Sequence, residues 1–253
     1  MAHRGKFLLA GMALTLVLVT SFAAEVQLFL RESHELATQA PPIPAELQPA
    51  TRVGHTGGIA GDTQTFRVVP EWSELAYFVD VRLPALPLLT YTAKGTTNEI
   101  EGEFFLRDGL QLASDRTSWF AVDLRQLKSQ GVPDRVVSPH NVLDTRRFPR
   151  AIFWASAIAG PSVSSSEDEY SFRLRGTLDL NGVRRDVTWE VEAHHRGGVI
   201  TALATARLRY RDFNIAAADP AGTVRMDDTF ILQVQLVAET PENAAAGRAP
   251  EPR

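Results

Sequence analysis

The sequence contains no cysteine. That excludes disulfides, thiolate catalysis, Cys-ligated metal sites and the lipid-modified Cys of bacterial lipoproteins. Positive charge is not in excess: 26 Lys and Arg stand against 30 Asp and Glu, a net −4 over 253 residues. A strongly basic nucleic-acid surface is therefore not expected. Enzyme signatures are missing as well, since no G-x-S-x-G, H-E-x-x-H or G-x-x-x-x-G-K-[ST] occurs. What remains is a globular composition, 44% hydrophobic and 22% charged, long enough to bury a sizeable core. Fifteen Pro and 17 Gly beside 13 Phe point to strands and turns.

The ends differ from the middle. After the basic segment His3-Arg4-Gly5-Lys6, residues 7–24 carry no charge, the pattern of a secretory signal or a signal anchor. Eighteen residues as a helix rise about 27 Å, near the lower limit for spanning a bilayer. Ser21 and Ala23 suit cleavage after Ala23, whereas Val26, Leu28, Phe29 and Leu30 prolong the apolar character and suit an uncleaved anchor. Residues 1–31 are read as one or the other, with everything beyond Glu25 exported: membrane-anchored facing outward, or periplasmic or secreted. Residues 32–63, with Pro41, Pro42, Pro44, Pro49 and a Gly57–Gly61 cluster, lack any period and read as a flexible linker. Residues 240–253 read as a disordered tail.

Residues 64–239 read as one antiparallel β domain. Asn181-Gly182 between alternating apolar residues is the signature of a two-residue type I′ hairpin. That loop sets Leu180 opposite Val183, Leu174 opposite Trp189 and Phe172 opposite Val191, with Leu178 and Val187 on the same dry face. The wet face then pairs Arg173 with Glu190, Thr177 with Asp186 and Asp179 with Arg184. Alternation recurs along Leu75–Leu83, at Ile100, Phe104 and Leu106, at 118–124, at 151–158 (Ile152, Trp154, Ile158), at 199–211 and at 229–238. Eight or nine strands without a long intervening helix can close a sandwich or a barrel. Ser138-Pro139 opens a short helix to about Arg147, which Pro149 stops. Ala202, Ala204 and Ala206 lie on one dry face: they leave a cavity, or neighbouring aromatics fill the space.

Polar candidates are weak. His194 and His195 are adjacent, so they point to opposite faces, and they read as exposed flanks of the Gly197-Gly198 turn. His140 reads as a capping or solvent-facing residue; an enzyme would need it beside Asp134 or Asp144. Glu167-Asp168-Glu169 reads as a solvated loop. Arg207, Arg209 and Arg211 share a face and pair with acids on neighbouring strands or meet anionic head groups.

Taken in order, Leu178-Asp179-Leu180-Asn181-Gly182-Val183 with Val187, Trp189 and Val191, then Asp212-Phe213-Asn214-Ile215, then Asp227-Asp228 before Phe230, Leu232, Val234 and Leu236, resemble the YceI-like, polyisoprenoid-binding family. Upstream, Ser73–Val79, Gly95-Thr96-Thr97 with Gly102, and Leu143-Asp144-Thr145 with Phe148-Pro149 and Phe153 fit the same template. The resemblance spans about Gln64–Glu239. It implies an all-β, extended, eight-stranded antiparallel barrel similar to lipocalins, with a short helix and an apolar channel for an isoprenoid chain. It implies export, no cofactor and no established catalytic residue. Laid on the dry faces, it makes Phe172, Leu174, Leu178, Val187, Trp189, Ala202, Ala204, Ala206, Phe230, Leu232 and Val234 the channel lining. The expected ligand is a polyprenyl chain or quinone, bound without catalysis; the alternative is a filled barrel serving as an envelope stress or protein-interaction module. The membrane would be a partner if residues 1–31 stay attached, and a homodimer through an open edge is compatible with this reading. The sequence departs from the family at Asp134-Arg135 (the reverse order is usual), at Arg184 for Thr, at Asn214 for Gly, and at Trp72-Ser73, where a His is often seen.

Overall fold

The computed structural model describes residues 34–47, 63–83, 86–107, 111–130, 139–163, 168–216 and 225–247. In chain order the strands are β1 (Gln64–Val68), β2 (Glu74–Leu83), β3 (Leu86–Thr97), β4 (Ile100–Arg107), β5 (Gln111–Leu112), β6 (Trp119–Asp123), β7 (Lys128–Gln130), β8 (Arg150–Val163), β9 (Glu169–Leu180), β10 (Val183–Arg196), β11 (Val199–Arg209) and β12 (Arg225–Glu239). Helices α1 (Pro139–Val142) and α2 (Pro241–Gly247) complete the set. Every pairing is antiparallel, and the order β1-β4-β6-β8-β9-β10-β11-β12 returns to β1. The domain is thus a closed eight-stranded barrel, the architecture that leaves no free edge on the ring. The short β5 pairs with β4, and β2, β3 and β7 pair in turn from β12 in the same sheet, carrying on the staves of β1, β4 and β6.

The hairpin fixes the register of the second half. Asn181 and Gly182 both take positive φ, 54° and 71°, as a type I′ turn requires. Leu180 faces Val183, Leu174 faces Trp189 and Phe172 faces Val191. On the wet face Arg184 Nε donates to Asp179 Oδ2 at 3.1 Å and Thr177 Oγ1 to Asp186 at 3.1 Å. Gly182 is constrained twice, because a Cβ there would also strike the Phe148 ring.

The first half is built differently. β1 and β2 form one stave broken at residues 69–73, β3 and β4 one broken at 98–99, and β6 and β7 one broken at 124–127. Because β1 pairs with β4, β2 with β3, β4 with β6 and β3 with β7, these breaks lie side by side. Pro70 opens a 3-10 turn to Trp72, a place where its missing N–H costs nothing. The buried Ser73 hydroxyl donates to Val69 O (2.8 Å) and accepts from Val237 N (3.0 Å), joining the break to β12. Asp123 caps the 3-10 turn at 124–126 by accepting from Arg125 N at 2.9 Å.

Glycine permits the closest approaches. Gly95 faces Tyr77, whose ring occupies the space a Cβ would need. At Gly176 a Cβ would collide with the Trp154 carbonyl oxygen and the Phe153 ring. Aromatic rings laid over strand glycines in this way allow the sheet to curve.

Several expectations need correction. The described part of the 32–63 linker, residues 34–47, is packed against the barrel: Ala37 N donates to Gln233 Oε1 and Gln233 Nε2 to Ala37 O, both at 2.9 Å. These bonds satisfy an amide that is only 3% exposed on the outer side of β12, which is why the segment docks despite its prolines. The tail from 240 begins with α2, where Asn243 Nδ2 donates to Leu47 O and Glu239 Oε2. The expected 139–147 helix ends after Val142, since Asp144 takes a left-handed φ of 44° and the chain continues in turns. Along 151–158, Phe153 is the fully buried residue, and Ile152 and Trp154 are half-buried on the other face. A bulge between Ala155 and Ala157 then shifts the phase, so Ile158 turns inward. The expected N-terminal apolar helix lies outside the described residues; among those described, no helix is long and apolar enough to cross a membrane.

Candidate functional site

Inside the ring the inward side chains leave two apolar cavities. One, of about 30 Å³, lies at the end carrying the Asn181-Gly182 turn and α1, lined by Leu75, Tyr77, Leu143, Tyr210 and Phe230 among others. The other, of about 70 Å³, lies toward the opposite end, lined by Phe66, Phe104, Ile158, Phe172, Ile200 and Ala204 among others. At about 10–15 Å³ per water, they hold the equivalent of roughly two and five waters.

An aromatic septum stands in the barrel. Phe120 and Phe153 lie 5.3 Å apart, and each ring is 5.8 Å from Trp189, in edge-on geometry. Phe153 and Trp189 are 0% and 1% exposed. Phe120 and Trp189 line the larger cavity and neither lines the smaller one. The Trp189 indole nitrogen has no hydrogen-bond partner among the described residues.

The expected lining divides between these spaces. Phe172, Leu174, Trp189, Ala202, Ala204 and Val234 line the larger cavity, and Phe230 and Leu232 line the smaller. Leu178, Val187 and Ala206 line neither and belong to the packed core. The alanine stripe therefore behaves in two ways. Ala202 and Ala204 leave room, whereas the register that pairs Glu190 with Thr205 brings Trp189 alongside Ala206. The lining that sequence reasoning missed comes mainly from the first half, for example Phe66, Phe104 and Tyr77. The alternation that carries Tyr77 and Phe104 is visible in the sequence; that they face the later strands follows only from ring closure.

Polar groups are sparse. Tyr210 stacks on Phe230 with centroids 4.6 Å apart, and burial, with a smaller contribution from Tyr77, pushes its phenol well above the usual range. Asp123 is held below the ordinary carboxylate range by its hydrogen bonds with Arg125. His140 Nδ1 lies 3.1 Å from Thr145 Oγ1. No bond joins it to Asp144 among the described residues, and Asp134 lies outside them. His195 is half-buried rather than an exposed turn flank, edge-on to Phe66 at 5.6 Å beside the larger cavity. Asp168 pairs with Arg196 at 2.7 Å; the other acidic-loop residues through Glu167 lie outside the described residues. Arg209 pairs with Asp212 (3.1 Å), and Arg211, in the turn after β11, pairs with Asp228 (3.4 Å). Among the described residues no group of His, Asp or Glu is arranged to hold a metal ion.

The described domain is thus a closed antiparallel barrel around two apolar cavities. The family model for the YceI-like domain matches residues 67–238, and the chain belongs to that family. Among solved structures, a polyisoprenoid binding domain from Saccharophagus degradans, implicated in plant cell wall breakdown, is similar in fold: 14% identity, TM-score 0.52, covering 70% of this chain and 99% of that one. BcnA of Burkholderia cenocepacia matches at 17% identity and TM-score 0.49, covering 67% and 98%. The Campylobacter jejuni YceI protein matches at 12% identity and TM-score 0.37, covering 49% and 72%. No curated protein matches the sequence.

The family's departures have local explanations. Asn214 takes φ 53° at the end of a 3-10 turn, a conformation that Asn tolerates better than other non-glycine residues. Arg184 is on the wet face, paired with Asp179 and over the Trp154 ring at 5.0 Å.

Proposed function

We propose that the barrel binds an apolar isoprenoid-type lipid, a polyprenyl chain or a quinone, in the space outside the cytoplasmic membrane, without catalysing a reaction on it. The observation that carries this reading is the larger cavity, whose seventeen lining residues are all apolar. Such a surface gains about 25 cal/mol for each Å² of hydrocarbon it removes from water and offers no polar group to compete. Membership of the YceI-like family and the name of the Saccharophagus degradans domain support the same class of ligand. The basic-then-apolar N-terminus supports export.

A filled barrel is the second reading, favoured by the Phe120–Phe153–Trp189 septum. The two readings meet at Trp189. A chain longer than one cavity passes only if this ring rotates aside, so Trp189 governs the length of lipid accepted. Native mass spectrometry of the full chain, expressed with its own export segment, separates them. The expected result is a stoichiometric adduct of several hundred daltons that extracts into organic solvent, and Trp189→Val is expected to shift the bound population to longer chains. A clean apo mass in both proteins, with no uptake of added ubiquinone or polyprenol, would establish the filled barrel.

A further inference from the structure

The three side-by-side strand breaks create a second concavity, on the outside of the barrel and chemically opposite to the interior. It is a groove of about 640 Å³ lined by Glu71, Trp72, Ser73, Glu74, Thr96, Thr97, Asn98, Gln126, Lys128 and Gln235. Trp72 is the only polarity exception in this wall, and it is 44% exposed, the one exposed large hydrophobic side chain among the described residues.

We infer that this groove is a carbohydrate site, taking a β-linked oligosaccharide of hexopyranose units with Trp72 as the stacking platform. Three features point there. First, the exposed indole stands on a backbone that is already ordered: Trp72 N donates to Val69 O (3.2 Å), Ser73 N to Pro70 O (3.1 Å), and the Ser73 hydroxyl ties the turn to β12. A platform whose backbone is ordered before binding loses less freedom when a sugar's C–H face covers it. Second, the side chains of Glu71, Asn98, Gln126, Lys128 and Gln235 line the groove and make no hydrogen bond or ion pair among the described residues. Amides and carboxylates are the groups that take up the alternating donors and acceptors of vicinal hydroxyls. Third, the charges present do not select a strongly charged ligand. Glu74 is neutralised by Lys94 at 3.2 Å, leaving Glu71 against Lys128. An apolar lipid has no partner for these groups, and a phosphorylated or polyanionic ligand would face one lysine and one carboxylate. The equatorial hydroxyls and flat C–H faces of a β-linked glycan chain fit both the polar rim and the indole.

The test titrates cellotetraose and N-acetylchitotetraose, with α-linked maltotetraose for comparison, into the full chain in mild detergent. Calorimetry measures affinity, and tryptophan fluorescence reports on Trp72. At least one β-linked tetrasaccharide is expected to bind with about millimolar affinity or better. Trp72→Ala, at an exposed position, is expected to weaken that binding tenfold or more and to leave the lipid adduct of the barrel unchanged. Gln126→Ala is expected to weaken it less, and Trp72→Phe to keep part of it. Absence of binding by either β-linked sugar overturns the proposal. So does equal binding by the wild type and Trp72→Ala, or a maltotetraose affinity matching that of the β-linked pair. The lipid reading stands or falls separately, since its readout is the adduct in the barrel.

Discussion

The two halves of the barrel solve the same closure problem by different means. From β8 to β12 the staves run 11 to 15 residues, and backbone ladders with regular alternation hold them together. From β1 to β7 the staves are broken, and side chains bridge the gaps: Ser73 to β12 and Asp123 over the 3-10 turn. In the unbroken half β9 and β10 present a wet outer face with pairs such as Arg184–Asp179, while on β11 and β12 the outward Thr201, Leu203, Gln233 and Val237 are buried. In the broken half, outward-pointing Ala76, Phe78, Phe105 and Ala121 are buried too, none more than 4% exposed. A strand with one wet face advertises its register in the sequence. A strand covered on both sides, and interrupted, does not. The interruptions also have a use, because they open the polar groove at Trp72.

The largest blow to this contrast should come from Gly176→Ala in the continuous half. The new methyl would meet a backbone carbonyl and a fully buried ring, neither of which can move without disturbing the ladder. A destabilisation of about 3 kcal/mol, typical of core overpacking, is expected from the urea midpoint. An unchanged midpoint would mean that the close approach of Trp154 and Gly176 is not needed for closure. Next comes Ser73→Ala in the broken half. It leaves Val237 N without its 3.0 Å acceptor, and an orphaned buried donor costs about 2 kcal/mol. The contrast adds a sharper requirement: amide exchange should quicken around Val69 and Val237, at the break, and not in β9 or β10. Uniform loss of protection across the barrel would show that the breaks are not local clasps.

These differences explain what was legible in the chain. The Asn181-Gly182 hairpin, its register and its charge pairs follow from turn chemistry and alternation alone, and the family pattern supplied closure into eight staves. Phe153 was passed over in favour of Ile152 and Trp154 because a bulge at Ser156 resets the phase without leaving a mark in composition. The helix was expected to run to Arg147 because nothing local reveals that Asp144 turns left-handed. Residues 34–47 look like a linker because prolines dominate them, and the bidentate bonds of Ala37 to Gln233 join residues 196 apart in sequence. Within the cavities, the hydrophobic faces were visible as stripes. Their division into two spaces was not, because it depends on three rings from β6, β8 and β10 meeting in the middle.

The two cavities offer the finest version of the comparison, through pH. The larger one has no titratable lining residue, whereas the smaller one includes Tyr77 and Tyr210. Tyr210 is buried against Phe230, and its phenol is shifted upward because ionisation there would place a charge in hydrocarbon. A group whose folded value is raised binds its proton more tightly in the native state. Its contribution to stability is complete below the unfolded value, which is 10.0 for this phenol, and declines as pH rises beyond it. The native barrel should therefore lose stability above about pH 10, at the end nearest the Asn181-Gly182 turn first. Tyr210→Phe keeps the ring stacking and removes the titration, so the alkaline slope of its denaturation midpoint should flatten relative to wild type while the value at pH 7 changes little. An equal alkaline slope in both proteins would place the sensitivity in another group that loses its proton in this range, a tyrosine or lysine elsewhere in the chain.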